Sequence, residues 1–145
     1  MTAVPDDYPE HILYTEKIRI RSDDMNYRNH LGHDTLIVIL NSVRMRFFQS
    51  YGIDEADVDG FGLIITDLGV VYKSEVFVGD VLVIDVAMAD VAQKGCSLLF
   101  RVYKENPSMP VAMVNVGICF FDYRDRKTVP LPARVKAINL FRNPD

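Results

Sequence analysis

One apolar stretch near the start of the chain constrains the fold more than any other feature. Between residues 34 and 52, apolar side chains recur at the three- and four-residue spacing of one helix face: Leu36, Ile37, Ile39, Leu40, Val43, Phe47 and Phe48. Asp34 suits the N-cap of this helix, and Gly52 suits its end. Because the start of the helix is apolar around most of its circumference, we expect it to lie deep inside the domain.

The segments around this helix have the patterns of strands. In residues 14–22, Ile18 and Ile20 alternate with charged side chains, which predicts a half-buried strand. After the acidic stretch DEADVDG, the turn signals GD, QKG and ENPSMP separate four further predicted strands, at residues 63–77, 81–92, 97–104 and 111–123. Residues 132–141 predict a short amphipathic helix. A helix followed by successive hairpin-linked strands indicates an α+β fold with an antiparallel sheet.

Length and composition indicate one folded domain. The chain has 145 residues and 49% hydrophobic content, enough for one buried core. We expect residues 1–13 to form a flexible arm and residues 14–145 to form the single domain. A net charge of -4 without any long basic stretch argues against a nucleic-acid partner.

Nothing in the sequence indicates export or a membrane span. The first twenty residues are acidic and contain proline, unlike a secretory leader, and no apolar run approaches eighteen residues. The chain has only two cysteines, Cys96 and Cys119, which suits a reducing compartment. We therefore expect a cytoplasmic protein.

The loop before the predicted helix, RSDDMNYRNHLGHDT at residues 21–35, concentrates the chemistry of the chain. It holds two histidines, three aspartates and two asparagines. Side chains that only need solvation have no reason to gather at the start of a buried helix, whereas a reaction centre needs a base, a positioned amide and N–H donors together. We therefore interpret this loop as the functional site.

Four segments together resemble the hotdog-fold acyl-CoA thioesterases of the 4-hydroxybenzoyl-CoA type. They are the loop at residues 21–35, the helix end SVRMRFF, the strand DLGVVYKSEVFVGD and the closing ICFFDYRDRKTVPLP, and the likeness runs from about Ile18 to Pro132. The resemblance implies a long central helix wrapped by a curved antiparallel sheet. It also implies homodimers or dimers of dimers, with acyl-CoA sites between two protomers.

Individual family residues can be carried over by position. In the family's D-x-D element, whose second Asp is catalytic in many relatives, Asp24 takes the first place and Asn26 the second. The histidine at the mouth of the helix corresponds to His33. The helical Glu of some members corresponds to Ser42, so both family carboxylates are absent from this chain.

A thioester hydrolysis mechanism can be assembled from the remaining groups. The backbone N–H groups of His33, Asp34 and Thr35 begin the helix and are suited to the oxygen that becomes negative. Gly32 allows the acyl group to approach closely. We predict His33 as the general base, because the ordinary pKa of histidine is about 6.5, with Asp34 as a second candidate. Asn26 would position the water or the thioester carbonyl.

Structural roles compete with these assignments. His33 and Asp34 could each cap the helix, and Asn26 could form an Asx turn at the end of the strand.

The other polar residues of the loop also have two interpretations. Asp24 could act on substrate or pair with Arg21 or Arg28. His30 and Tyr27 could line the acyl pocket or satisfy backbone groups of the loop.

Outside the loop, fewer residues are candidates. Tyr72 and Lys73 could face the coenzyme or the partner's site, but the favoured interpretation of Lys73 is an ordinary solvated charge. A local basic surplus could meet the phosphates of CoA or serve only as surface charge, and it consists of Arg124, Arg126, Lys127, Arg134 and Lys136. We expect no metal, because His30 and His33 lack a third ligand in a fixed pattern, and no cofactor. Both cysteines are expected to pack in the core.

Acyl-CoA hydrolysis is therefore the predicted function, and two alternatives remain. A non-catalytic acyl-CoA-binding protein would explain the loss of both family carboxylates. A hotdog enoyl-CoA hydratase would use Asp24, Asn26 and His30, which loosely resemble the D-x-N-P-x-H element of that branch.

Overall fold

The structure is a computed structural model that describes residues 8–9, 11–26, 28 and 30–140. Six strands and two helices follow one another along these residues: β1 (Tyr14–Arg19), α1 (His33–Ser50), β2 (Gly62–Tyr72), β3 (Val81–Ala89), β4 (Gly95–Glu105), β5 (Ser108–Asp122), β6 (Lys127–Val129) and α2 (Ala133–Ile138). The strands form one antiparallel sheet in the order β1-β3-β4-β5-β2, and β6 pairs with the end of β5. The predicted α+β class, with one long helix against an antiparallel sheet, is confirmed.

Two predicted strands end earlier than expected, each for a local reason. The strand predicted at 63–77 ends at Tyr72, because the chain turns there and the N–H groups of Lys73 and Ser74 both donate to the carbonyl of Val111. The strand predicted at 81–92 ends at Ala89, because Asp90 adopts a left-handed backbone with φ 51°. The three-residue strand β6 has too short a pattern to be recognised in the sequence, and it was not predicted.

The buried face of α1 forms the centre of the core. Leu36, Leu40, Val43 and Phe47 follow one another at four- and three-residue intervals, and each is buried. Alternate residues of three strands complete the same cluster: Leu82, Ile84 and Val86, then Leu98, Phe100 and Val102, then Val114, Val116 and Ile118. The helix is therefore deeply placed, as its apolar pattern predicts.

Phe47 lies at the aromatic centre of this core. Its ring centroid is 5.0 Å from that of Phe48, 5.5 Å from that of Tyr51 and 6.1 Å from that of Tyr14 on β1. The Tyr51 hydroxyl in turn donates to the carbonyl of Leu13 at 2.6 Å. These contacts join the end of α1 to the edge strand β1.

A buried ion pair lies on the opposite face of the sheet. Asp85 is 1% exposed, and its carboxylate accepts hydrogen bonds from the Thr15 hydroxyl at 2.7 Å and from the Arg101 guanidinium at 2.7 and 3.1 Å. The ring of Tyr8 lies 4.6 Å from this guanidinium, and the Tyr8 hydroxyl donates to the carbonyl of Leu99. Tyr8 belongs to the segment predicted as an arm, of which residues 1–7 and 10 lie outside the described residues.

Removal of the Phe47 ring should destabilise the fold. We expect Phe47→Ala to lower the free energy of unfolding by about 3–5 kcal/mol, because it leaves a cavity among three aromatic rings. The matched change Gln49→Ala, at an exposed position of the same helix, should alter it by less than about 0.5 kcal/mol. Urea unfolding at equal protein concentration measures both, and similar losses in the two variants would contradict this account of the core.

Candidate active site

A cleft of about 460 Å³ opens at the N-terminal end of α1. One wall is the loop that ends in Gly32, and the other is the segment that follows β2. The two walls are joined by a hydrogen bond from the N–H of Leu31 to the carbonyl of Val76, at 3.1 Å. The surrounding residues are Asn26, His30, Leu31, Gly32, His33, Leu36, Tyr72, Lys73, Ser74, Glu75, Val76 and Val111.

Asn26 closes the loop of the first wall. Its Oδ1 accepts the backbone N–H of Arg28 at 2.9 Å and that of His30 at 3.1 Å, and its own N–H donates to the carbonyl of His30. The Asx-turn interpretation of this residue is therefore confirmed. Both bonds use the side-chain carbonyl oxygen of Asn26. The part of the side chain that remains for a ligand is therefore its NH2 group, with two N–H donors.

His30 forms a pair with a carboxylate that the sequence analysis did not consider. Its Nε2 atom lies 3.5 Å from Oε2 of Glu75. The edge of the imidazole also meets the ring of Phe77, with 5.6 Å between centroids and 81° between planes. The imidazole thus has one carboxylate within ion-pair distance and one aromatic neighbour, and the Glu75 side chain is 63% exposed.

The sequence pattern does not single out Glu75, because the strand predicted at residues 63–77 extends past Tyr72, where β2 ends. A strand continuing to residue 77 would make Glu75 one more solvated charge on an alternating segment. The available signal was the interruption by Ser74 and Glu75 of an otherwise apolar run just before the GD turn. That interruption marks the point where the chain leaves the sheet and crosses towards the helix start.

The first residue of α1, His33, lines the cleft. The helix begins at His33 with Gly32 as its N-cap, so the prediction that Asp34 caps the helix was wrong. Thr35 donates its N–H to Oδ1 of Asp34 at 2.9 Å. Within the described ranges, no hydrogen bond takes the N–H of His33 or of Asp34, because a helix offers no acceptor to its first residues.

Gly32 packs closely against the side chain of Asp34. A Cβ atom on Gly32 would lie 2.5 Å from Oδ1 of Asp34 and 3.8 Å from Cβ of Asn26. A side chain here would displace the Asp34 carboxylate, whose position depends on its bond to the Thr35 N–H.

The structure does not bring every predicted site residue to the cleft. The Asp24 carboxylate accepts the backbone N–H of Arg21 at 2.8 Å and closes the single 3-10 turn Ser22–Asp24. Asp34 and Thr35 are described but do not line the cleft. Tyr27 lies outside the described residues.

Tyr72 lines the cleft from the end of β2. Burial, and then the negative charge of Asp34, raise the pKa of the Tyr72 phenol above its ordinary value. The phenol therefore stays protonated at neutral pH and can donate a hydrogen bond.

The predicted basic surplus does not reach the cleft. All five of its residues are described, and none of them is among the lining residues. Arg134, for example, lies 3.8 Å from Asp59 and donates to the carbonyl of Gly52. Lys73 is instead the cation that lines the cleft.

The cysteines pack as expected. Cys96 and Cys119 are both buried, and burial raises the pKa of the Cys96 thiol to about 12. A thiol with such a pKa is protonated at neutral pH and is a poor nucleophile.

No metal-binding group and no membrane-crossing helix occur in the part of the chain that the structure describes. Its His, Cys, Asp and Glu side chains do not gather in threes that could hold a metal ion. Neither helix among residues 8–140 has the length and apolar character needed to cross a bilayer. The cytoplasmic location stays a prediction.

Comparison with known proteins identifies the family. The profile of the thioesterase-like superfamily matches residues 20–138, and the chain belongs to this superfamily. Its fold is the hotdog fold of thioesterases, with one long helix against an antiparallel sheet. No curated protein sequence matches the chain.

Solved structures agree with this fold at low sequence identity. A 1,4-dihydroxy-2-naphthoyl-CoA thioesterase from Synechocystis has a TM-score of 0.80 at 12% identity, over 88% of this chain and 95% of that one. A hypothetical protein from Staphylococcus aureus in complex with CoA has a TM-score of 0.81 at 18% identity, over 97% and 92%. A putative thioesterase from Pseudomonas aeruginosa has a TM-score of 0.79 at 18% identity, over 87% and 97%.

The role of Asn26 in the loop can be tested by substitution of Asn26. In Asn26→Ala the amides of Arg28 and His30 lose their acceptor, and we expect their hydrogen exchange to be about fivefold faster, the effect of roughly 1 kcal/mol per lost bond. Asn26→Asp keeps an oxygen at the same place and should protect both amides. Equal protection in the alanine variant would contradict the loop geometry.

Proposed function

We propose that this protein hydrolyses acyl-CoA thioesters in the cleft at the start of α1. The observation that carries the proposal is the pair of His30 and Glu75, which lines the same cleft as Asn26 and His33, the first residue of α1. Thioester hydrolysis needs an activated water and donors for the oxygen that becomes negative, and this cleft offers both. Membership of the thioesterase-like superfamily supports the same chemistry.

In the proposed mechanism, His30 removes a proton from water while the water oxygen attacks the thioester carbonyl carbon. Glu75 holds the imidazole and stabilises its positive charge, as the acid partner of a catalytic histidine does. The N–H group of His33 and the side-chain amide of Asn26 stabilise the oxyanion. The C–S bond then breaks, and His30 returns the proton to the departing thiolate.

Other residues have secondary roles in this proposal. His33, the base favoured by the sequence, lies exposed at the helix start and remains the second candidate. Asp34 has no catalytic role in this proposal, because it does not line the cleft and its carboxylate accepts the Thr35 N–H. The apolar part of the cleft, which includes Leu36 and Val76, would take the acyl group, and Gly32 would allow its carbonyl to approach.

Release of free CoA thiol from short, medium, long and aromatic acyl-CoAs tests the mechanism. We expect His30→Gln to lower kcat by about a hundredfold or more, because general-base catalysis contributes about 10²–10⁴. Glu75→Gln should lower kcat with little change in KM, because it removes the group that orients the base. The matched variant His33→Gln should lose less than about tenfold.

Other outcomes would indicate a different general base or a different function. Activity that survives His30→Gln but is lost in His33→Gln would return the base to His33. Tight acyl-CoA binding without turnover would indicate a non-catalytic binding protein. Loss of the enoyl absorbance without thiol release would indicate a hydratase.

We further propose that two copies of the chain pair through β2. This strand lies at one edge of the sheet, and its Ile65, Leu68 and Val71 side chains are 44–45% exposed. On α1, Val38 and Met45 are also exposed. A long apolar edge strand favours pairing with another strand, so a second copy is the natural partner. Because Tyr72 belongs both to this strand and to the cleft, the active site would border the dimer interface.

A charge on this edge should separate the copies. We expect Leu68→Glu to shift the protein from dimer to monomer in analytical ultracentrifugation and to reduce thioesterase activity, because two like charges would face an apolar interface. Thr128→Glu, on the exposed strand β6, is the control and should leave the dimer intact. An unaltered protein that sediments as a monomer would contradict the pairing.

A further inference from the structure

The ring of Phe77 is the second neighbour of the His30 imidazole. The two ring centroids lie 5.6 Å apart with 81° between the planes, the edge-to-face geometry that aromatic pairs prefer. The Glu75 carboxylate is largely exposed, and a carboxylate that is open to water holds its partner only weakly. A single exposed contact leaves the imidazole free to turn about its side-chain bonds. The position of Phe77 therefore matters for the direction in which His30 points.

A tight turn fixes the backbone of Phe77. Its carbonyl accepts the N–H of Asp80 at 3.1 Å, and Gly79 has a φ of 89°, which the third position of a type II turn requires. The N–H of Phe77 donates to Oδ2 of Asp80 at 2.9 Å. The turn is joined to Ile20, just after β1, by two backbone hydrogen bonds of 2.8 and 2.9 Å. The base of the Phe77 side chain is thus tied to the sheet.

A lysine of β4 contacts the Phe77 ring itself. The Lys104 ammonium lies 5.2 Å from the centroid of this ring, a distance at which a cation is attracted to an aromatic face. It also lies 3.2 Å from Oδ2 of Asp80, and the Lys104 side chain is only 13% exposed. The carboxylate oxygen that accepts the Phe77 N–H therefore also holds the cation against the Phe77 ring.

These contacts form a continuous path from the sheet to the cleft. The path runs from Lys104 through Asp80 to Phe77 and then to His30. Only the last of these four residues lines the cleft. The other three can influence a reaction in the cleft through the histidine, without contact with the substrate.

We propose that Phe77 is a positioning residue, which holds the His30 imidazole at the angle for proton removal from water, and that Asp80 and Lys104 hold Phe77. This inference rests on the proposed function, in which His30 is the general base. A base at the wrong angle slows the chemical step, because catalysis depends on the alignment of the reacting groups. It leaves substrate binding almost unchanged, so the loss should fall on kcat and not on KM.

Kinetics of acyl-CoA hydrolysis test the role of the ring. Phe77→Leu keeps an apolar side chain and removes the ring, and we expect kcat to fall about tenfold with less than about a twofold change in KM. Phe77→Tyr keeps the ring and should retain at least about half of kcat. Val78→Ala changes an exposed residue of the same turn and should alter neither constant. An unchanged kcat in Phe77→Leu, or an equal loss in Phe77→Tyr, would overturn the proposal.

A double-mutant cycle tests the role of Lys104. Lys104→Gln removes the cation from the ring, and we expect kcat to fall about threefold with KM unchanged. In the Phe77→Leu background the same substitution should cause no further loss, because its effect passes through the ring. Additive losses would show that Lys104 acts independently of Phe77 and would overturn this part of the path.

Proton NMR separates this inference from the proposed function. The chain has three histidines, and the imidazole signals that disappear in His30→Gln belong to His30. The ring current of Phe77 should displace these signals, so they should move in Phe77→Leu and stay in place in Val78→Ala. This result would support the contact even if no thioester were hydrolysed, an outcome that would contradict the proposed function alone. Signals of His30 that are unchanged in Phe77→Leu would overturn the inference, whatever the activity.

Discussion

Burial of the helix α1 is the constraint on which the rest of the structure depends. Val43, Phe47 and Phe48 are completely inaccessible to solvent. Truncation of one buried aromatic side chain of this size lowers the free energy of unfolding by about 3–5 kcal/mol. A buried face of this extent needs a wide apolar surface against it. Long antiparallel strands supply that surface, because alternate residues of β3, β4 and β5 all point to the helix.

The site follows from the same burial. A helix that lies inside a domain still leaves its first N–H groups without acceptors, and they must meet polar groups or a ligand where the helix begins. Here the helix begins at Gly32, between a loop closed by Asn26 and the segment that leaves β2. The second wall is in turn fixed by the extra residue Val111 in β5 and by the bond between Leu31 and Val76. Backbone hydrogen bonds thus bring His30 and Glu75 together.

The elements of the fold were predictable because their signals are local. The apolar spacing in α1 and the alternation in the strands are periodic over many residues, and one face of each is buried as expected. The predictions were wrong at the ends of these helices and strands. Asp34 was expected as the N-cap because its type favours that position, but Gly32 takes it, and Asp34 bonds instead to Thr35. The early end of β2 depends on a carbonyl about forty positions away in the chain, and its one local sign is the polar interruption at Ser74 and Glu75.

The amino-acid sequence by itself determined the class of fold, the buried helix and the loop that carries the site, because periodicity and composition act through neighbours along the chain. Only the tertiary structure decided which groups of this loop lie close to groups of other segments. The pairing of His30 with Glu75 and the position of Lys73 at the cleft both depend on contacts between distant segments. Such contacts arise from the packing of the helix against the sheet, and no local pattern specifies them.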